Sequence, residues 1–266
     1  MTTTLAGALI KPYQGESYVL YFLSGWVFSV PLMAILFTHE MGHYLTGRKW
    51  RLLVTPPFFI PGPPIPPLPG TFGAFIKIRS PIANRRALME LGAGGPVAGS
   101  IVGIPLLILG ITLSEIKDIA PHSQGLAFGS SLILELICRL KLGTFSSDVT
   151  ILLHPTALAA WFGLFVTAMN LLPIGQLDGG HVVYALFGPK LAPRISFVFF
   201  LCLIPLGIWV WTGWLVFALL LIFLGLRHPP PLDEVAPLGI RSRILGMTAI
   251  ILFILTFVPM PLYVTQ

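Results

Sequence analysis

Long blocks of apolar residues constrain this chain more than any other feature of its sequence. A helix rises about 1.5 Å per residue, so roughly 20 apolar residues cross the ~30 Å hydrocarbon core of a bilayer. Several blocks reach that length, and 55% of the 266 residues are hydrophobic whereas 10% are charged. Soluble domains carry about 25% charged residues. The sequence therefore predicts an all-α polytopic protein, integral to the lipid bilayer.

The apolar blocks predict six transmembrane helices. Thr212-Gly213 divides one run that is too long for a single crossing, and this run therefore predicts two short spans joined by a tight turn. A further segment, residues 126–142, is apolar on one side and is expected to lie at the membrane interface. The predicted spans cover about residues 17–45, 86–113, 155–172, 193–211, 214–226 and 244–262.

One short segment favours a strand over a helix. Residues 55–70 are dense in proline, which fixes the backbone and lacks an N–H, so they predict a stiff loop. Residues 71–78 (TFGAFIKI) then alternate as a membrane-associated β segment that is too short to span. We expect a single membrane-embedded domain over residues 1–266, with a catalytic core at about 17–188 and accessory helices at about 193–262.

The basic residues indicate topology instead of nucleic-acid binding. The net charge is +6, yet Lys and Arg are spread over short loops between apolar runs, so no nucleic-acid partner is expected. Basic loops stay on the cytoplasmic side of a membrane. This rule places both termini on the non-cytoplasmic side, and it assigns these residues to the cytoplasmic side: Arg48, Lys49, Arg51, Lys77, Arg79, Arg85, Arg86, Lys190, Arg194, Arg227, Arg241 and Arg243.

The motif HEMGH lies near the end of the first predicted span. It places His39 and His43 one helical turn apart on the same face, where they can share one zinc ion, with Glu40 beside them. Buried structural histidines are the alternative, but ionisable groups in a lipid-embedded helix are costly and usually mark a site. A catalytic zinc takes three protein ligands and leaves one position open, so a third ligand must come from elsewhere.

Asp178 is the candidate for that third ligand. It lies in NLLPIGQLDGGH, where Pro173 and Gly175 end the third span, and the glycines after the aspartate allow an irregular backbone. Irregular backbone at membrane depth lines a cavity or packs on protein. We expect the Asp178 carboxylate to complete a His₂Asp site on the cytoplasmic side, although an aspartate that caps a helix fits the same pattern.

HEMGH and NLLPIGQLDGG together resemble the two motifs of the site-2 protease family of intramembrane zinc metalloproteases, over roughly residues 28–188. The resemblance implies one zinc ion held by His39, His43 and Asp178, with Glu40 activating the water. It also implies that Asn170 polarises the scissile carbonyl, although an asparagine in a span can equally join two helices. Many members carry a PDZ domain, for which this chain shows no segment, so it resembles the compact form.

The expected function is hydrolysis of peptide bonds in or near transmembrane segments, as in regulated intramembrane proteolysis. The partner is then a transmembrane protein substrate, and the location is a bacterial plasma membrane or a plastid membrane. We further hypothesise that the strand at residues 71–78 offers its edge to an unwound substrate segment. Two alternatives are a transporter or channel with buried ionisable groups and a zinc-binding relative without activity.

Overall fold

The computed structural model describes residues 1–10, 13–15, 17–65, 67–118, 125–143 and 149–265. Within these residues the chain forms nine α-helices and six short strands. The helices are α1 Thr2–Ala8, α2 Tyr18–Ser24, α3 Trp26–Lys49, α4 Arg85–Thr112, α5 Leu132–Leu142, α6 Pro155–Asn170, α7 Asp178–Trp209, α8 Gly213–Leu224 and α9 Ile240–Thr256. The strands are β1 Phe58–Pro61, β2 Thr71–Phe75, β3 Glu115–Asp118, β4 Gly125–Phe128, β5 Val149–Leu152 and β6 Leu262–Thr265.

Three helical stretches of the described chain are long and apolar enough to cross a membrane. They are Tyr18–Lys49, Arg85–Thr112 and Asp178–Trp209, and the first two coincide with the predicted first and second spans. The third predicted span forms the 16-residue α6, which rises only about 24 Å and is buried over much of its length. The chain is thus an integral membrane protein by its helices, whereas the full set of six crossings stays a prediction.

The helix α7 differs from its prediction at its beginning. It starts at Asp178, well before the expected residue 193, and it bends at Gly188, where φ is 76°. Gly179 and Gly180 were expected to loosen the backbone. In the structure they are helical, and a Cβ on either one would overlap backbone of the preceding turn. These glycines therefore serve close packing. The predicted break at Thr212-Gly213 is confirmed, since α7 ends at Trp209 and α8 begins at Gly213.

The strands form three two-stranded antiparallel sheets, β1–β2, β3–β5 and β4–β6, where one β segment was expected. Strand β1 lies inside the proline-dense stretch that we predicted to be a loop. The predicted interfacial helix is shorter, because β4 takes its first residues and α5 begins at Leu132. The sixth predicted span also ends early, because two prolines follow α9, and β6 then pairs with β4.

Small residues bring α3, α4 and α6 close together. A Cβ on Gly103 of α4 would lie 2.9 Å from the Leu164 side chain of α6, and one on Gly163 would lie 2.7 Å from Ile35 of α3. Gly110 likewise meets the backbone of Ala157. The glycines of α4 therefore permit close helix approach. This three-helix packing holds the HEMGH face of α3 against α4 and α6.

Candidate metal centre

The second half of α3 carries both histidines of HEMGH, and both are buried. Their rings lie 4.9 Å apart between centroids, as expected for side chains one helical turn apart. His39 is 3% exposed and His43 is 7% exposed, so neither imidazole is hydrated from the surface. Buried imidazoles require polar partners.

Glycines of α4 make room for these rings. A Cβ on Gly95 would overlap the His43 imidazole, and a Cβ on Gly99 would lie 3.1 Å from the Cβ of His39. Gly42, inside the motif, faces the carbonyl oxygen of Gly94 with no room for a side chain. Gly95 and Gly99, four residues apart, thus lie on the face of α4 that borders the histidines.

Asp178 lies at the start of α7 and reaches both histidines. Its Oδ2 is 3.2 Å from Nε2 of His39 and 3.2 Å from Nε2 of His43. Leu177 occupies the N-cap position, and no side chain caps this helix, so the alternative of a helix-capping aspartate is wrong. One donor atom from each of the three residues lies within 4.8 Å of the others. The predicted convergence of two imidazoles and a distant carboxylate is present in the fold.

The other ring nitrogens of the histidines are occupied by hydrogen bonds that fix the tautomers. Nδ1 of His43 donates to the carbonyl oxygen of Leu91 at 2.8 Å. The Thr167 hydroxyl donates to the Gly163 carbonyl at 2.9 Å, so it accepts from Nδ1 of His39 at 3.3 Å. Both Nε2 atoms then present lone pairs toward a carboxylate, an arrangement that is repulsive without a cation among them. Nothing in the sequence pattern singled out Thr167 or Leu91 as hydrogen-bond partners of the histidines.

The spacing of the donors fits zinc. Bonds of about 2.0–2.1 Å in a tetrahedron separate neighbouring ligand atoms by about 3.3 Å. Both imidazole-to-carboxylate distances, 3.2 Å, match that separation. Two imidazoles with one carboxylate are also a donor set that zinc takes in catalytic sites, which keep a fourth position open.

Glu40 and Asn170 share a cavity with the three donors. The cavity has a volume of about 600 Å³ and is bounded by α3, β2, the end of α6 and the segment before α7. Glu40 is buried, and the backbone N–H of Ile76 lies against its carboxylate. The Asn170 amide makes no hydrogen bond to another described residue, so the alternative in which it joins two helices finds no support there.

His181 also lines the cavity, but its imidazole is paired with that of another histidine. Its Nδ1 lies 2.6 Å from Nε2 of His228, and Tyr184 stacks on the His228 ring at 4.6 Å. Burial lowers the pKa of His228 below its usual value, so this imidazole stays neutral. The sequence pattern gave His228 no role. Nothing in the local pattern predicts a contact 47 positions away.

Comparison with known proteins gives the family of the chain. Residues 27–204 match the model of Peptidase family M50. The chain is 32% identical over 235 residues to the probable zinc metalloprotease EGY1, chloroplastic, of Arabidopsis thaliana, which covers 86% of this chain and 42% of that protein. It is 35% identical over 164 residues to the probable zinc metalloprotease EGY2, chloroplastic, of Oryza sativa subsp. indica, covering 61% and 29%.

The chain thus spans less than half the length of these relatives. The family match contains both histidines, Glu40, Asn170 and Asp178, and so the whole donor set. The relatives are named as zinc metalloproteases, and zinc is the metal that the three donors fit. The chain belongs to Peptidase family M50, the site-2 protease family of zinc metalloproteases.

Proposed function

We propose that this protein is a zinc metalloendopeptidase that hydrolyses peptide bonds in or near transmembrane segments of membrane proteins. One observation carries the proposal. Two imidazole lone pairs and a carboxylate meet beside a buried glutamate, in a cavity bounded by membrane-length apolar helices. Ionisable groups at such a depth are costly and therefore indicate a site. Cleavage of this kind suits regulated intramembrane proteolysis, in which a membrane-bound precursor is released.

His39, His43 and Asp178 would hold the zinc ion, which supplies a Lewis acid that lowers the pKa of a water molecule toward about 7. Glu40 takes a proton from the attacking water as its oxygen bonds to the scissile carbonyl carbon. Glu40 then gives the proton to the amide nitrogen when the C–N bond breaks. The N–H of Ile76 faces the Glu40 carboxylate and can help to orient the base.

Asn170 is proposed to stabilise the charge that develops on the scissile carbonyl oxygen. Its side chain lies on the cavity wall at the last residue of α6 and has no partner among the described residues. A free amide N–H can therefore donate to an oxyanion.

The outer edge of the β1–β2 hairpin is proposed to bind the substrate backbone. Backbone hydrogen bonds join this segment to residues that precede β1, since the N–H of Thr55 donates to the Lys77 carbonyl and the N–H of Arg79 donates to the Leu53 carbonyl. Backbone groups alternate along a strand, so those of Ile76 and Ile78 turn to the other edge, which borders the cavity. A substrate helix must unwind before cleavage, and strand addition to this edge would hold it extended.

The membrane is proposed to be that of a plastid or of a bacterium. The relatives EGY1 and EGY2 are named chloroplastic, which supports the plastid. The active site would then open toward the compartment that holds the basic loops.

A paired assay tests the proposal. The purified protein in detergent is compared with Glu40→Gln for zinc content and for cleavage of a transmembrane reporter. Removal of a general base costs about 10²–10⁴-fold, so Glu40→Gln should retain about one zinc and lose cleavage by that factor. Asn170→Ala should also retain zinc and lose about 10²–10³-fold.

Glu135→Gln makes the same chemical change on α5, outside the site, and serves as the matched control. Chelation should abolish cleavage by the wild-type protein, and added zinc should restore it. Equal cleavage by wild type and Glu40→Gln would refute the base assignment. A wild-type protein that binds no zinc would refute the metal site.

A further inference from the structure

The catalytic cavity has a second wall that lies beyond the residues matched by the family model. Leu221 and Leu224 at the end of α8, with Gly225, Pro229 and Pro230 after it, border the same cavity as the metal donors. The family match ends at residue 204, before α8 begins. We call residues 221–230 the distal wall. Because the proposed reacting groups all lie between residues 39 and 178, a wall that carries none of them is suited to determine which substrates fit.

The distal wall is fixed to the segment that leads into Asp178. Gly175 has φ of 54°, and a Cβ on it would overlap the carbonyl oxygen of Gly225. The Ser196 hydroxyl accepts from the Gly175 N–H at 2.8 Å and donates to the Leu226 carbonyl at 3.4 Å. The wall therefore holds a set position relative to the metal donors.

Two further attachments hold the following residues. His228 contacts His181 of α7 through ring nitrogens 2.6 Å apart. Beyond it, the N–H of Leu232 donates to the Ile82 carbonyl at 2.9 Å, and that of Asp233 donates to the Ala83 carbonyl at 3.0 Å. Attachment at both ends makes the wall a defined surface, as a selective subsite requires.

The chemistry of the cavity-lining part of the wall is apolar. Leu221, Leu224, Gly225, Pro229 and Pro230 carry no ionisable side chain and no side-chain hydrogen-bond donor. Leu221 is buried against the cluster around Trp214, whereas Leu224 is 54% exposed. An apolar surface desolvates a hydrocarbon side chain favourably and disfavours a charged one.

We propose that the distal wall is the subsite that selects a bulky apolar side chain of the substrate, with Leu224 setting its size. This inference rests on the proposed function. Side chains of an extended segment alternate between its two faces. A segment paired with the outer edge of β2 therefore turns every second side chain across the cavity, where the distal wall can receive it.

Substrate preference tests the subsite. Two series of transmembrane reporters carry Ala or Phe at each position around the cleaved bond, and kcat/KM is measured for each. Leu224→Ala should raise the ratio of Phe to Ala reporters about tenfold at one position, and Leu224→Phe should lower it, because one methylene in an apolar pocket changes discrimination by about 10-fold or more. Leu220→Ala, a half-exposed leucine on α8 that does not line the cavity, is the matched control.

A binding measurement separates this inference from the peptidase assignment. A photo-crosslinking side chain is placed at position 224 or 220 of the Glu40→Gln variant, and the uncleaved reporter is irradiated with each. Crosslinking at 224 and not at 220 supports the subsite, even if the wild-type protein cleaves nothing, in which case the peptidase assignment falls alone. Two results would overturn the subsite. In the first, the wild-type protein cleaves the reporter but no crosslink forms at 224. In the second, the wild-type protein cleaves the reporter but Leu224→Ala and Leu220→Ala show the same ratio of Phe to Ala reporters. If the wild-type protein does not cleave the reporter and no crosslink forms at position 224, both the subsite and the peptidase assignment are overturned.

Discussion

Because residue 95 is a glycine, α4 can approach the metal donors closely. The His43 ring occupies the space that a Cβ on Gly95 would need, while its Nδ1 donates to the Leu91 carbonyl one turn away on the same helix. Helix α4 therefore both makes room for this imidazole and fixes its tautomer. Outer hydrogen bonds of this kind orient metal ligands and tune their basicity.

Gly95→Ala should therefore weaken zinc binding about 10–100-fold, the usual cost of disturbing a ligand's orientation. The measurement is competition for zinc against a chromophoric chelator in detergent. Gly103→Ala is the matched control, since its Cβ would meet the side chains of Leu164 and Ile35 and no metal donor. Both changes replace glycine by alanine within α4, so both gain helix propensity of about 1 kcal/mol. Equal zinc affinity in the two variants would contradict the proposed role of Gly95.

At the scale of elements, a short hairpin contributes a backbone group to the site. Ile76 follows β2, and its N–H faces the Glu40 carboxylate, while its neighbour Lys77 is bonded to Thr55, which precedes β1. The hairpin thus links the proposed substrate edge to the proposed base. A local change in the hairpin should affect catalysis without touching the metal.

Ile76→Pro removes this one N–H, which lies on the outer strand edge and faces Glu40. We expect zinc content to be unchanged and kcat/KM to fall by about 10²-fold or more, since both base positioning and substrate alignment suffer. Ile76→Val retains the N–H and a β-branched side chain, so the difference between the two variants reports on the backbone group. Full activity in the proline variant would refute the hairpin's role in binding and in positioning Glu40.

At the scale of the whole molecule, the basic residues gather at one end. The Lys49 ammonium lies 2.6 Å from the Glu90 carboxylate, so the end of α3 lies beside the start of α4. The bond from the Asp233 N–H to the Ala83 carbonyl brings the segment before α9 to the same end. Arg48, Arg51, Arg85, Arg241 and Arg243 flank these points. The fold therefore supports the proposed orientation, with this end cytoplasmic.

Cysteine labelling tests that orientation. In a background in which Cys138 and Cys202 are replaced by serine, one new cysteine is placed at Leu113, Tyr263 or Val235, all exposed positions. A membrane-impermeant maleimide applied from the non-cytoplasmic side should label positions 113 and 263 and leave 235 unmodified until the membrane is permeabilised. The reverse pattern would invert the topology and place the basic loops outside.

Much of the site could be predicted from local patterns. HEMGH specifies two imidazoles on one helical face, since helix periodicity alone brings positions 39 and 43 together. The choice of Asp178 rested on its chemistry and on the glycines beside it, and the structure confirms that this carboxylate reaches both rings. The same glycines misled the prediction of backbone shape, because glycine permits an irregular chain and close helix packing equally well.

By itself the sequence determined the membrane class, the apolar blocks and the pairing of His39 with His43 on one helical face, because hydrophobic length and helical spacing are local properties. Only the tertiary structure decided which distant groups meet. His39 and Asp178 are 139 positions apart, and β4 pairs with β6 from beyond α9. The tautomers of the histidines, the outward edge at Ile76 and the distal wall against Gly175 likewise depend on packing among separate elements, and no local pattern encodes those contacts.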